Sequence, residues 1–460
     1  MGNSLESRFE RYADVMIDAL GHGGRATPAR WYLRGLMLPG KRKSVEPMAA
    51  RVRPEDVPSA HQSMHHLVAD SAWSDTAMLA AVASEVVPVL SKAGKEPCFW
   101  IIDDTGMRKY GKHSVGVARQ YCGQLGKTEN CQVAVSLSLA TVDGSVPLDY
   151  RLYLPKEWAE DKKRCKSAGV PKEIAFATKG EIAWAQIKAA LTAGIPRGTV
   201  LSDAAYGDEA AFRDSLSAEE LTYAVGVRPG TTVWWNAHQP ASAPLKPGRA
   251  RHRTRVLRDK THQPISVREL AQTLPSASYR RVTWREGTNA ALSSRFARVR
   301  VRAAHADQPR EEEWLLIEWP KGETEPTRYF LSTVPADISF KELVATVKMR
   351  WRIERDYLEL KQEVGLGHYE GRNWRGFHHH ASLCIAAYGF LMMERLHASK
   401  KNSTRLKAPP LPEGFRPRGA RSDATAHPLV DRHHTLLSGA GYRTAPVSVP
   451  FVRAALHQGQ

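Results

Sequence analysis

The chain has 460 residues, enough for two or three domains and a sizeable core. Its 66 Lys and Arg residues outnumber its 48 Asp and Glu residues, which gives a formal net charge of +18. A surplus of this size points to a polyanionic partner, although ribosome-associated and anionic-membrane proteins share it. No run of about 18 apolar residues occurs, and the N-terminus lacks the basic-then-apolar order of a secretory signal, so neither a membrane span nor export is expected.

The cysteines and histidines argue against a zinc site. The five cysteines are odd in number and show no CxxC spacing, which fits a reducing cytoplasm without a disulfide framework. The run His378-His379-His380 looks like a metal cluster. Three consecutive side chains on a helix, however, fan out over about 200° and cannot share one ion.

Residues 1–95 are predicted to form a helical domain, because apolar residues recur at three- and four-residue spacing between breaks at Gly and Pro. One interruption, PGKRKSVEPMAARVRP, is basic and turn-rich. Its Lys41, Arg42 and Lys43 suit contacts with DNA phosphates. An ordinary helical domain with a solvated basic face explains the segment equally well.

Residues 96–227 change to a mixed α/β pattern. CFWIID is a short apolar run typical of a strand buried on both faces, and two strands flank Asp143-Gly144 as in a hairpin. A helix over about 172–193, a strand ending in VLSD, a short helix and a fifth strand follow. The order strand, strand, strand, helix, strand, helix, strand predicts a mixed sheet with helices.

Residues 228–337 read as a β-rich insertion, because apolar and polar residues alternate and Gly and Pro are frequent. Most of its arginines at even spacing should share one strand face, and an unpaired DNA base could stack on an exposed indole. For any single tryptophan, a place in the core is the more frequent outcome. These candidates are Arg295, Arg298, Arg300 and Arg302, with Trp234, Trp235, Trp314 and Trp319. Helices resume within 338–398, and 399–460 form a basic tail rich in Pro and Gly.

Two predicted strands end in carboxylates, at Asp103-Asp104 and at Asp203. Strand ends are where α/β proteins place function, because the sheet fixes the backbone while the loop leaves room for a ligand. A single Asp in such a place is more often a turn or helix cap. Two of them, without Cys or His nearby, suit Mg²⁺, and a pair of such ions can activate a nucleophile and stabilise a leaving oxygen.

The stretch WRIERDYLELKQEVGLGHYEGRNW offers a third carboxylate. On a helical wheel Arg350, Glu354 and Lys361 share one stripe bordered by apolar residues on both sides. We expect Glu354 to be a metal ligand and the two cations to bind phosphate, although a structural ion-pair ladder gives the same stripe. The remaining acids fall on the opposite side and are expected to serve solubility; they are Asp356, Glu359 and Glu363.

Three separated blocks, IIDDTGMRKYGKHSVGVARQYCGQLGKTENCQVAV, LSDAAYG and RWRIERDYLELKQEVGLGHYEGRNWRGFHHHASL, resemble the DDE transposases of bacterial insertion sequences. The likeness covers roughly residues 30–395 and is nearest to the branch with a β-rich insertion between the second Asp and the Glu. It implies a ribonuclease-H-like core, two Mg²⁺ ions (or Mn²⁺ in their place), and cutting and joining at transposon ends. It further implies double-stranded DNA as partner, a homodimer in the active complex, and a bacterial, nucleoid-associated location.

That branch carries a Tyr-x2-Arg-x3-Glu-x6-Lys signature, which Arg350, Glu354 and Lys361 match, whereas Val347 stands in place of the Tyr. The second aspartate maps onto Asp203. The first maps onto the DDT triplet, where we expect Asp104, which directly precedes Thr, and keep Asp103 as the alternative.

Three functions remain in competition at this point. The leading one is a transposase that binds terminal inverted repeats and catalyses metal-dependent cleavage and strand transfer. The others are a catalytically retired DNA-binding protein and a metal-dependent nuclease that cuts without joining. The intact carboxylate triad argues against the retired protein, and only an assay of joining separates the other two.

Overall fold

A computed structural model describes residues 4–405, apart from 93, 95–96, 237–255, 257, 259, 261, 287–290 and 306–308. The tail expected over 399–460 therefore lies mostly outside the described residues. Across the described part of the chain, no helix is both long and apolar enough to cross a membrane.

The N-terminal region is helical, as predicted, and each helix buries one apolar face. Helix α1 places Phe9, Tyr12 and Met16 in the core. Part of the expected turn-rich basic segment is itself helix α3, because Pro47 is tolerated in a first turn and Met48 supplies a core contact. The helices are α1 (Leu5–Asp18), α2 (Ala26–Met37), α3 (Val45–Val52), α4 (Val57–Ala69) and α5 (Asp75–Leu90).

The core that follows is a mixed sheet in the order β2-β3-β1-β5-β6, with β4 paired to β3. Strand β1 runs antiparallel to β3 and parallel to β5, and the predicted hairpin at Asp143-Gly144 joins β3 to β4. The strands are β1 (Phe99–Arg108), β2 (Ala118–Cys122), β3 (Lys127–Ala140), β4 (Ser145–Leu152), β5 (Thr199–Ser202) and β6 (Tyr223–Val227). The helices between them are α6 (Lys156–Glu160), α7 (Lys162–Ser167), α8 (Lys179–Thr192), α9 (Ala204–Gly207) and α10 (Ala210–Ala218). The predicted α/β core is confirmed.

The β-rich segment continues this sheet instead of forming a separate one. Strand β12 pairs antiparallel with β6, and β11, β10, β7 and β8 follow outwards, so that one twelve-stranded sheet spans both parts. The elements are β7 (Thr232–Trp234), β8 (Ile265–Ser266), α11 (Val267–Thr273), β9 (Arg280–Glu286), β10 (Ala291–Ala303), β11 (Glu312–Trp319) and β12 (Arg328–Ser332).

The C-terminal helices are α12 (Phe340–Lys348), α13 (Trp351–Leu358) and α14 (Trp374–Arg405). The stretch that carries the Arg350, Glu354 and Lys361 stripe is not one continuous α-helix: the chain turns at 349–350, and Glu359–Val364 is a π-helical turn. Helix α14 ties the N-terminal helices to the core: the Tyr12 hydroxyl donates to the Ala386 carbonyl oxygen at 2.8 Å.

The three consecutive histidines of α14 each contact a different element. His378 accepts from the amide of Leu152, the His379 ring stacks on Trp73, and His380 hydrogen-bonds the Tyr32 hydroxyl at 2.8 Å. All three are buried. Burial lowers the pKa of His379 and His380 to about 4, so these rings pack as neutral groups.

Lys43 corrects one expectation of the basic segment. Its side chain is 2% exposed, and its ammonium donates to the carbonyl oxygen of Leu36 at 2.7 Å and to that of Leu38. These carbonyls lie at the C-terminal end of α2, where helices leave acceptors without intrahelical donors. The expected DNA contact by Lys43 is therefore wrong for this fold: it caps a helix, whereas Lys41 and Arg42 are exposed.

Lys43→Met should lower the free energy of unfolding by about 2–3 kcal/mol, because buried carbonyls would lose charged donors. Lys41→Ala is the matched control and should change stability by less than about 0.5 kcal/mol, as exposed substitutions do. Urea denaturation followed by circular dichroism measures both. Equal stability of the two variants would contradict the capping role.

Candidate active site

The pairing of β1 with β5 brings two carboxylates to one level of the sheet. The strands are parallel, with Ile101 opposite Leu201. Two residues further along each chain stand Asp103 and Asp203. Asp203 directly follows β5 in extended backbone and caps α9, since its Oδ1 accepts from the Ala205 amide at 2.9 Å. Its carboxylate lies close enough to Asp103 to help raise the pKa of that group.

Asp103 lies on the face of the sheet that α13 covers. Asp103 lies opposite Ser136 of β3, and the Ser136 hydroxyl is 2.5 Å from the hydroxyl of Tyr357 on α13. Tyr357 also donates to the Asp103 carbonyl oxygen at 3.3 Å. Asp103 therefore faces the helix that carries Glu354.

Asp104 points to the other side of the sheet. Its Oδ2 accepts from Lys179 Nζ at 2.6 Å, at the start of α8, and from the Tyr206 hydroxyl at 3.5 Å. The orientation expected for the two aspartates is thus reversed: Asp103, the alternative, lies beside Asp203. The sequence contained both residues, but only the strand register decides between them.

Arg350 links the strand to α13. Its guanidinium donates to Asp103 Oδ2 at 2.9 Å and to Glu354 Oε1 at 3.3 Å. Burial opposes the charge of Arg350, but the neighbouring carboxylates outweigh it and raise its pKa. The two carboxylates differ in exposure, since the side chain of Asp103 is 15% exposed and that of Glu354 67%.

The surroundings of Asp103 disfavour the charged form of its carboxyl. Burial raises the pKa of Asp103 to about 7; Arg350 opposes the rise, while Asp203 and Asp104 add to it. Burial is the main reason why the charged form of this carboxyl is disfavoured. A bound cation would favour the charged form.

Lys361 also lies near these carboxylates, but its backbone is not α-helical as the helical wheel assumes. It lies in the π-helical turn, where the angular period of an α-helix no longer applies. Its Nζ donates to the carbonyl oxygen of Gly106 on β1 at 2.8 Å. Burial lowers its pKa to about 8, partly offset by the charges of Asp103 and Asp104 among others.

Two of the acids assigned to solubility are structural instead. Asp356 is 2% exposed, and its Oδ1 accepts from Ser145 and Tyr388 at 2.7 and 2.8 Å. Glu359 holds Arg355 at 2.9 Å and Arg395 of α14 at 2.5 Å. The wheel assigned them to solvent because it could not include the helix α14 that covers them.

A divalent metal is consistent with the donors present. Asp103 and Asp203 offer hard oxygen ligands, the type that Mg²⁺ prefers. Within the described residues, no three His, Cys, Asp or Glu side chains converge closely enough to form a ready-made site. The third carboxylate, Glu354, is instead paired with Arg350.

Three residues near the carboxylates escaped the sequence analysis. Lys179 and Tyr206 contact Asp104, and Tyr357 contacts the Asp103 backbone. Tyr206 belongs to the motif LSDAAYG, and Lys179 follows the helix-capping Thr178, which were the available signals. Val347, at the signature Tyr position, is buried in the core.

The insertion contains a basic cleft of about 500 Å³, whose lining includes Arg281, Arg295, Trp319 and Lys321. Arg295 lies 4.0 Å from the Trp319 ring centre and directly opposite Arg281 on β9. The other arginines on β10 bind within the protein: Arg298 donates to Ile338, and Arg300 and Arg302 contact Glu312. Trp234 and Trp314 are buried, whereas Trp235 and Trp319 are half-buried.

Comparison with known proteins identifies the family of the chain. Residues 15–291 match the family described as DDE superfamily endonuclease. A protein named probable transposase for insertion sequence element IS701, from Microchaete diplosiphon, is 34% identical over 170 residues, or 36% of this chain and 40% of that protein. The chain therefore matches about two fifths of the length of this curated relative. Because the family match spans more than half of the chain, the chain belongs to the DDE superfamily of endonucleases.

Proposed function

We propose that this protein is a transposase of an insertion sequence. It binds the terminal inverted repeats of double-stranded DNA and catalyses metal-dependent cleavage and strand transfer. The observation that carries the proposal is the register that sets Asp103 beside Asp203, under the helix of Arg350 and Glu354. The name of the IS701 relative and the net charge of +18 support it.

Asp103 and Asp203 would hold Mg²⁺ or Mn²⁺, with Glu354 as third ligand, and two ions suit the chemistry. When bound, such metals activate the attacking oxygen and stabilise the leaving one. The protein contributes fixed geometry: Asp103 lies within β1 and Asp203 directly follows β5, the parallel neighbour of β1, so the sheet holds both backbones in place.

Arg350 and Lys361 would bind phosphate. The Arg350–Glu354 pair spans one helical turn with Glu354 exposed, and such pairs are worth only about 0.3–0.5 kcal/mol. Replacing Glu354 by a DNA phosphate as the partner of Arg350 would therefore cost little free energy. Glu354 would then be free to turn toward the aspartates. A guanidinium suits a phosphate because it can donate two parallel hydrogen bonds.

The assembly and location belong to the same proposal. Joining two transposon ends requires two sites, so the active complex is a homodimer on DNA. The protein acts in the bacterial cytoplasm, where the chromosome is the target.

Glu354→Gln should bind DNA ends nearly as well as the wild type but neither nick nor join them. The amide is a weaker metal ligand, while the phosphate contacts of Arg350 remain. The measurement combines electrophoretic mobility shift with cleavage and joining of linear DNA carrying the element's ends.

Glu363→Gln is the matched control from the same segment and should stay active. Cleavage by the Glu354→Gln protein would contradict the proposed site. Cleavage without joining by the wild type would identify a nuclease, and binding without either reaction would identify a retired transposase.

Trp319→Ala in the insertion cleft should reduce cleavage while lowering thermal stability less than Trp314→Ala does, since the accessible face of a half-buried indole can stack on a base. Trp314→Ala is the control and should lower the melting temperature markedly, because its ring is buried in the core. Cleavage assays and differential scanning calorimetry separate the two effects. Parallel loss of activity and stability in Trp319→Ala would show that this indole is a core residue as well.

A further inference from the structure

The loop after β1 exposes an unusual amount of aromatic surface. Tyr110 is 89% exposed, and the Arg108 guanidinium carbon lies 4.8 Å from its ring centre. Tyrosine is frequent at interfaces, since its ring contacts an apolar partner while its hydroxyl stays wet. An aromatic presented this fully to solvent is available to a partner.

The backbone around Tyr110 is held in place. Asn130 Nδ2 donates to the carbonyl oxygens of Lys109 and Gly111, at 2.6 and 2.9 Å. Lys109 Nζ in turn donates to the Tyr369 carbonyl oxygen at 2.6 Å. Both neighbours of Tyr110 are thus anchored, so little backbone entropy is lost when the ring binds a partner.

The loop connects to the basic segment near the N-terminus. Val115 donates its amide to the Arg372 carbonyl oxygen at 2.9 Å, and Glu370 pairs with Arg42 at 2.7 Å. The segments that carry exposed cations therefore adjoin one another, from the end of β1 to the chain between α2 and α3. We name this surface the basic ridge; it comprises Lys41, Arg42, Arg108, Lys112 and Arg372. Glu370 and Glu129 neutralise only part of its charge.

The ridge begins close to the carboxylates. Arg108 is five residues beyond Asp103 on the same strand, a span of about 17 Å. One turn of B-DNA is about 34 Å long, so a duplex with a phosphate at Asp103 reaches Arg108 within half a turn. Lys361, bound to Gly106, lies between these two points.

We propose that the basic ridge binds the duplex next to the scissile phosphate, and that Tyr110 makes a non-ionic contact to its sugars or bases. The inference rests on the proposed function, since it places DNA at Asp103. Duplex DNA fits better than an acidic protein because the exposed cations lie on adjoining segments, the first of which is the strand that carries Asp103.

The test measures binding of full-length protein to a fluorescent duplex of arbitrary sequence, several helical turns long, across a salt series. Lys112→Ala should flatten the slope of log affinity against log salt by about 0.9, the value for one lost phosphate contact. Tyr110→Ala should weaken binding roughly tenfold at every salt concentration with an unchanged slope, because a stacking contact releases no counterions. Tyr110→Phe should restore most of the affinity, and Lys188→Ala, on the exposed face of α8, should match the wild type.

Circular dichroism and melting curves of each variant confirm that it folds. Wild-type affinity and slope in both Tyr110→Ala and Lys112→Ala would overturn the ridge, as would an equal loss in Lys188→Ala. If the ridge variants bind and cleave DNA like the wild type, the ridge is overturned and the proposed function stands. If the ridge variants lose DNA binding but the wild type itself never cleaves DNA, the ridge is supported and the proposed function is overturned.

Discussion

The parallel pairing of β1 with β5 is the constraint on which the candidate site depends. It fixes the relative height of two chain segments a hundred residues apart, and so sets Asp103 beside Asp203 without any direct bond between them. Strand β3 on the other flank positions Ser136, and through it Tyr357 and α13. Ile101 and Leu201 are the paired residues two positions before the aspartates, and their complete burial holds this register.

The same constraint creates an electrostatic problem that the fold solves only in part. Packing carboxylates at a half-buried sheet end raises the pKa of Asp103 to about 7, through burial first and then through its acidic neighbours. Arg350 offsets some of this charge, and Lys179 pairs with Asp104 on the far side. Buried carboxyls with strongly raised pKa values beside other acids cluster at functional sites, which is consistent with the proposed cation binding at this place.

Much of the fold could be predicted from the sequence because strands, turns and helices have local patterns. The Arg350–Glu354 pair followed from those patterns too. The aspartates were found as candidates, although β1 continues to Arg108, past the strand end expected at Asp103-Asp104. The choice between Asp103 and Asp104 did not, since it depends on register. Lys43 and Asp356 were misassigned for a related reason: the groups that bury them, the end of α2 and helix α14, are set by tertiary packing. The π-helical turn places Lys361 differently from an α-helix, and the spacing of apolar residues in the sequence does not indicate such a turn.

The most direct test of the account is the position of Mn²⁺ in crystals of the protein with DNA, located by its anomalous scattering. The account predicts an ion coordinated by both Asp103 and Asp203 at about 2.0–2.2 Å, retained in Asp104→Asn and lost in Asp103→Asn. An ion held by Asp104 and Asp203, with Asp103→Asn still binding it, would contradict the assignment and the register argument behind it.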